Sequence, residues 1–281
     1  MHRYGRRCVR SAQSVLLRLG SYLVICLLVT INQHLLAPAV FAQSSDAQAI
    51  AIVQSAAAAV SGSEPLNDIV LTGNVASTSG AGTISGSLVI KATSKHQSRI
   101  DFTFGSGIVT EIRDSSTAVP SGRRIDSVGV VYPRALQNCW SDVGWFSPVV
   151  SMFLTASDPT VVFRYVGLET RHGVSVNHVV AKRDVKNQPE AARVLVRQVS
   201  TTDLFLDATT ALPVAMKFNI YPDSSAQTGT PVTVEFGNYQ QLASGQNVPF
   251  HVSRNEAGTI TDIQITSAVV NSGIPASTFS N

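Results

Sequence analysis

The residue types that could carry chemistry are thinly spread along this sequence. Beyond residue 42 the histidines are His96, His172, His178 and His251. No HxH or HExxH spacing joins them, whereas a metal site needs clustered His, Cys and carboxylate ligands. His172 and His178 would lie about 20 Å apart on a single strand. No GxSxG occurs, and Ser85-Gly86-Ser87 and Gly105-Ser106-Gly107 suit flexible or turn positions. Cys139 beside Trp140 is a nucleophile only if a distant histidine reaches it; a small buried apolar residue is its commoner role. Glu111, Asp114, Glu169 and Asp207 lack any local feature that would mark a glycosidase carboxylate, and no glycine-rich phosphate loop is present. The expectation is no catalytic residue, no metal and no cofactor: a protein that is not an enzyme.

Two other residue classes remain. Trp140, Trp145 and Phe146, then Met152, Phe153 and Leu154, form apolar clusters in the middle of the chain. They read either as core packing or as the lining of a lid or cavity, because Met and aromatic side chains adapt to apolar ligands. Arg99, Arg113, Arg123, Arg124, Arg164, Arg171, Arg193 and Arg197 are scattered over strands and loops. A solvated surface is their default place, but those inside a concave sheet could meet an acyl carboxylate or a lipid phosphate.

The elements that must position these residues are mostly strands. Residues 43–60 are alanine-rich with Ile50, Val53, Ala57 and Val60 at helical spacing, Asp46 as the N-cap and Gly62 as the stop. The period then switches to two. Residues 68–75, 83–91, 99–104 and 107–113 read as a four-stranded β-meander, with the first turn at Ser77–Gly82. Ile100, Phe102 and Phe104 share its apolar face and Asp101 and Thr103 its wet one. Residues 114–147 read as loops with a short helix near Pro133–Asn138, and Pro148 opens a helix at its N1 position. Strands are expected again at 161–166, 173–180, 193–199, 202–207, 213–221, 232–240, 248–254 and 260–270, with 182–190 as a charged loop. The total is ten to twelve strands in a single domain, residues 43–281.

The N-terminus supplies an address. Arg3, Arg6, Arg7, Arg10 and Arg18 precede an apolar run, Tyr22–Ile31, and Val40 and Ala42 fill the −3 and −1 places of a cleavage site. That is a secretory signal peptide over residues 1–42; Asn32, Gln33, His34 and Pro38 break the run short of the roughly twenty residues needed to span a bilayer. Cys26 follows Ile25 in mid-run, so a lipidation site is not expected. Without residues 1–42 the 21 basic residues fall to 16 against 18 acidic ones, and Cys139 is the last cysteine. Nucleic acid thereby loses its compositional support, and the exported domain must be held by its core rather than by disulfides.

The C-terminal third resembles the envelope carriers of the LolA/LolB type and their outer-membrane-lipoprotein-sorting relatives. The resemblance rests on Asp207-Ala-Thr-Thr-Ala-Leu-Pro213, on Val234-Glu-Phe-Gly-Asn-Tyr239 with Gly245 and Pro249, and on Ile263-Gln-Ile265 with Asn271–Phe279. A helix followed by a strand through Leu71-Thr72-Gly73 fits the same pattern. It implies a mainly β (α+β) fold: a curved antiparallel half-barrel with an N-terminal helix and short helices over the concave face. It also implies a periplasmic or secreted carrier of a lipid or acyl chain, or of a lipoprotein, touching membranes transiently at most. Phe102, Phe104, Trp145, Met152, Phe153, Phe163 and Phe218 are then the apolar lining. The rival readings are a cell-envelope interaction module with a self-filled core and, third, a secreted hydrolase.

Overall fold

The computed structural model describes residues 45–62, 65–117, 119–141 and 144–280, the side chains of Phe153 and Leu154 apart. The signal peptide expected over residues 1–42 lies outside them. The first element is helix α1 (Ala47–Ser61). The Asp46 carboxylate accepts the Gln48 N–H at 2.8 Å, and the helix ends at Gly62, whose φ of 67° suits a residue without Cβ. Its buried face is Ala49, Val53, Ala56 and Val60, shifted by one residue at two positions from the expected stripe. Asp46 also ties this end to the sheet, its N–H reaching the Phe163 carbonyl at 2.9 Å.

Thirteen antiparallel strands follow in one sheet: β1 (Asp68–Ser79), β2 (Gly82–Thr93), β3 (Gln97–Phe104), β4 (Gly107–Asp114), β5 (Ser121–Ile125), β6 (Val131–Pro133), β7 (Val161–Arg171), β8 (Val174–Arg183), β9 (Thr202–Asp207), β10 (Pro213–Ile220), β11 (Thr230–Gln241), β12 (Asn247–Glu256) and β13 (Thr259–Val270). The order is β6-β5-β4-β3-β2-β1-β13-β12-β11-β10-β9-β8-β7. Every ladder thus joins strands consecutive in sequence except the β1–β13 seam, where Ile69 meets Val270 and Thr78 meets Ile260, and β6 and β7 are the two edges. A bulge at Thr72/Gly73 interrupts that seam. Gly73 is required there, because a Cβ would lie 2.3 Å from the Gln264 carbonyl oxygen. Between β6 and β7 come helices α2 (Leu136–Ser141) and α3 (Pro148–Ser157), and between β8 and β9 helix α4 (Glu190–Val199).

One face of the sheet is apolar from β3 through β1 and β13 to β8: Leu71, Val75, Leu88, Ile90, Ile100, Val179, Leu204, Met216, Val232, Val234, Val252 and Ile263 are all buried in one core with α1 and α3. This is the curved, mainly β half-barrel with helices over its concave face. The opposite face is partly roofed by the C-terminal segment. Burial alone would push the Asp68 carboxyl up, but the hydroxyl and N–H of Ser272 and the N–H groups of Gly273 and Ile274 hold it below the ordinary carboxylate range. Downstream, Arg99 and Arg123 donate to the carbonyls of Thr278 and Phe279.

Three expectations are corrected. Residues 193–199 are not a strand but the last turns of α4. Its alternating valines mimic a strand, yet Arg193 and Arg197 stand four apart so that both forks close on Asp184 at 2.9–3.1 Å, and Glu190 pairs with each. Residues 114–147 are not all loop, since β5 and β6 extend the sheet. Their Gly122-Arg123-Arg124 and Val131-Tyr132-Pro133 carry no apolar alternation because an edge hairpin has little core to face. The β1–β2 turn is also tighter than Ser77–Gly82, with only Gly80 and Ala81 outside the ladder.

Candidate functional site: a groove on the concave face

Register builds the site. Across β1 to β4, Ser77 opposes Ile84, Gly86 opposes Phe104, and Leu88, Phe102 and Val109 align. Directly paired residues share a face, so these side chains stand together on the concave side. The Phe102 and Phe104 rings are stacked, centroids 6.2 Å apart and planes 6° apart. Glycine at position 86 is required by the close strand behind it, since a Cβ there would lie 2.0 Å from the Thr103 carbonyl oxygen and 3.0 Å from the Phe104 ring. Ile84, Phe102, Phe104, Val109 and Trp145 form the apolar part of an open cavity of about 390 Å³. That is within the range of about 300–1,000 Å³ typical of small-ligand sites.

The wall of this groove is charged, with Arg124 and Arg254 set beside Glu111 and Asp126. Arg254 follows Val252 by two residues on β12 and so faces inward with it. Its Nη1 is 2.5 Å from Glu256 and its guanidinium lies 5.2 Å from the Trp145 ring centre, within cation–π range. Its Nε is buried with no hydrogen-bond partner. Glu111, opposite Arg124 in the β4–β5 ladder, lies 3.6 Å from Arg113 and 4.0 Å from Arg134. Glu111, Arg124 and Arg254 also border a second cavity of about 280 Å³, which continues past Tyr132, Asn138 and Asp223. Asn138 fixes α2 here by a two-way bond to the Tyr221 backbone, 2.7 Å each way.

Beneath α3 the interior is nearly filled. Trp145, Met152, Leu204, Met216 and Phe218 surround a cavity of about 50 Å³, room for a few water molecules. A separate cavity of about 390 Å³ lies beyond Trp140, with His96, Asp158, Thr160 and Arg183 in its lining. Arg183 is paired with Asp158. Burial and the nearby Arg183 charge hold His96 below the ordinary imidazole range, so it is neutral at neutral pH.

Of the residues expected to line a cavity, Phe102 and Phe104 border the groove, Trp145 stands between the groove and the core cavity, and Met152 and Phe218 line the latter. Phe163 is packed in the core, and the Phe153 side chain lies outside the described residues. Arg254, Glu256, Ile84 and Val109 escaped the sequence reading. For Arg254 the signal was present: a cation in phase with Val248 and Val252 on an apolar strand face. The histidines serve carboxylates elsewhere. His178 bridges Glu169 and Asp203 at 2.6 and 2.7 Å, His172 meets Glu235 at 3.0 Å and His251 meets Asp262 at 2.7 Å. Among the described residues no group of three His, Cys, Asp or Glu is placed to hold a metal ion, and no helix is long and apolar enough to cross a membrane.

No protein-family model matches the chain, and no curated protein matches it by sequence. Solved structures do. A DUF1329 family protein from Desulfovibrio piger superposes with a TM-score of 0.56 at 9% identity, covering 85% of this chain and 98% of the other. A domain from Vibrio parahaemolyticus described as an outer membrane lipoprotein-sorting protein gives 0.55 at 13% identity over 83% of this chain and 96% of its own. A LolA superfamily protein from Nitrosomonas europaea gives 0.54 at 11% identity over 83% and 97%. The chain has a LolA/LolB-like fold.

Proposed function

We propose that this protein is an exported, non-enzymatic carrier or binding protein for a lipid or an acylated partner such as a lipoprotein, working in the periplasm or outside the cell after loss of residues 1–42. The observation that carries the reading is the stacked Phe102–Phe104 pair with Ile84, Val109 and Trp145, lining an open cavity of about 390 Å³ on the concave face. Apolar side chains that border an open cavity are stabilised by an apolar guest, and an alkyl chain is such a guest. One solved structure of this fold is described as an outer membrane lipoprotein-sorting protein domain, in keeping with such a guest. Export supplies the compartment in which that guest is met, and the arginine-rich, acid-free leader is its support.

Native mass spectrometry of the gently purified protein tests this, together with uptake of a fluorescent fatty acid. Co-purifying lipid and saturable uptake are expected, and Phe104→Asp should lower uptake by about tenfold or more by placing a charge on the apolar floor. A clean apo mass with no uptake would overturn the proposal.

One observation favours the interaction-module reading. The interior beneath α3 is nearly filled by the protein's own side chains, and Val128, Val131 and Ile108 are exposed near the groove's hairpin tips. In that case no fatty acid is taken up and Val128→Asp or Ile108→Asp abolishes binding to a protein partner.

A further inference from the structure

Building on the groove as an acyl site, we infer that its guest is an anionic amphiphile, an alkyl chain ending in a carboxylate or phosphate. The head sits at Arg124 and Arg254 and the chain lies on Phe102 and Phe104. Both halves of such a molecule find their complement in one cavity. The apolar residues come from β2, β3, β4 and the segment before α3, and the two arginines from β5 and β12.

The charges around the two cavities decide which head fits. Glu256 takes Nη1 of Arg254, and Glu111 lies between Arg113 and Arg134. Asp126 is occupied within its own turn, accepting from the N–H groups of Val128 and Val130 and the Tyr132 hydroxyl. Asp223 is exposed at the far end of the neighbouring cavity. Every acid except Asp223 is thereby engaged, whereas Arg124 is exposed and feels the Asp126 charge without an ion-pair contact among the described residues, and Arg254 spends its Nη1 on Glu256. A charged oxygen satisfies a guanidinium better than a neutral one. A cationic head would meet two arginines, and an uncharged one would gain no charge-assisted bond from either. The Arg254 guanidinium is 5.2 Å from the Trp145 ring centre, so a head bound there delivers its first methylenes onto the aromatic floor.

The test is a set of sixteen-carbon ligands of about equal chain length offered to the purified protein: palmitate, hexadecyl phosphate, hexadecanol and hexadecyltrimethylammonium, each displacing the same fluorescent fatty-acid probe. Both anions are expected to bind about tenfold more tightly than hexadecanol, and the cation least well. In Arg124→Gln, an exposed position whose change leaves the fold intact, the anion advantage should shrink while hexadecanol binding stays constant. Arg254→Gln should do the same, with its thermal midpoint checked alongside. The better of the two anions identifies the head as carboxylate or phosphate. Hexadecanol binding as tightly as the anions, or an anion preference surviving both substitutions, would overturn the head-group assignment and leave the groove standing. Failure of all four ligands to bind would overturn the groove itself.

Discussion

At the scale of single residues, the aromatic side chains divide into two classes that the sequence alone does not separate. Phe218 is 4% exposed and packed in the core, whereas Phe104 is only partly buried and borders the groove. Phe218→Ala is therefore expected to lower unfolding free energy by about 3–5 kcal/mol, and Phe104→Ala by less than about 1.5 kcal/mol with a larger loss of ligand uptake. Denaturant unfolding and probe binding on the same two variants check this; equal losses of stability would mean that Phe104 is a core residue. Residue type and period two placed Phe102 and Phe104 on one face, so this part of the site was legible. Arg124 was visible only as a cation in a presumed loop, and Arg254 was passed over. Their convergence depends on which of thirteen strands lie together, and period carries no information about that.

At the scale of elements, periodicity read most strands correctly and failed where other forces take over. Helix α4 exists because Asp184, only 4% exposed, gathers Arg193 and Arg197, a reason that lies outside the helix itself. Burial would raise this carboxyl, but the hydrogen bonds and charges of the two arginines hold it below its ordinary range. The β5–β6 hairpin lies at the edge of the sheet, where core contact no longer dictates the pattern. At the β1–β13 seam the controlling feature is backbone approach rather than side-chain type. Gly73→Val is expected to cost at least about 2–4 kcal/mol, because its Cβ would meet the Gln264 backbone and the ladder would have to part. A lowered thermal midpoint checks this, while Gly80→Val, in open space in the β1–β2 turn, serves as the control.

At the scale of the whole molecule, residues 43–281 contain a single cysteine, Cys139, and so hold without an internal disulfide; a set of aspartates contributes to how they do so. Asp68, Asp158, Asp184 and Asp207 each feel burial, which raises them, and hydrogen bonds or arginines that outweigh it and leave them lowered. A depressed folded value means stability fully present above the unfolded value of about 3.9 and lost as pH falls through the lower folded values. Unfolding free energy should thus begin to fall as pH drops through about 6.5, where the His96 imidazole protonates more readily in the unfolded chain, and decline further below about pH 4. Asp68→Asn should flatten that decline, as denaturant midpoints across the pH series would show; an unchanged slope would assign the acid sensitivity elsewhere. The strand order has a further consequence for how the molecule is put together. Strands β1–β6 and β7–β13 are each wound from successive hairpins, and the sheet crosses between these blocks at a single ladder. Within the sheet the two blocks thus join by one ladder, to which Asp46 with Phe163 and Arg123 with Phe279 add further ties, and the gene can be divided between them. Polypeptides spanning residues 43–134 and 135–281, produced separately and mixed, are expected to reunite into a one-to-one complex that elutes like the intact chain. Reversing two or three apolar positions of the ladder, such as Val75 and Ile263, to charges should keep them apart.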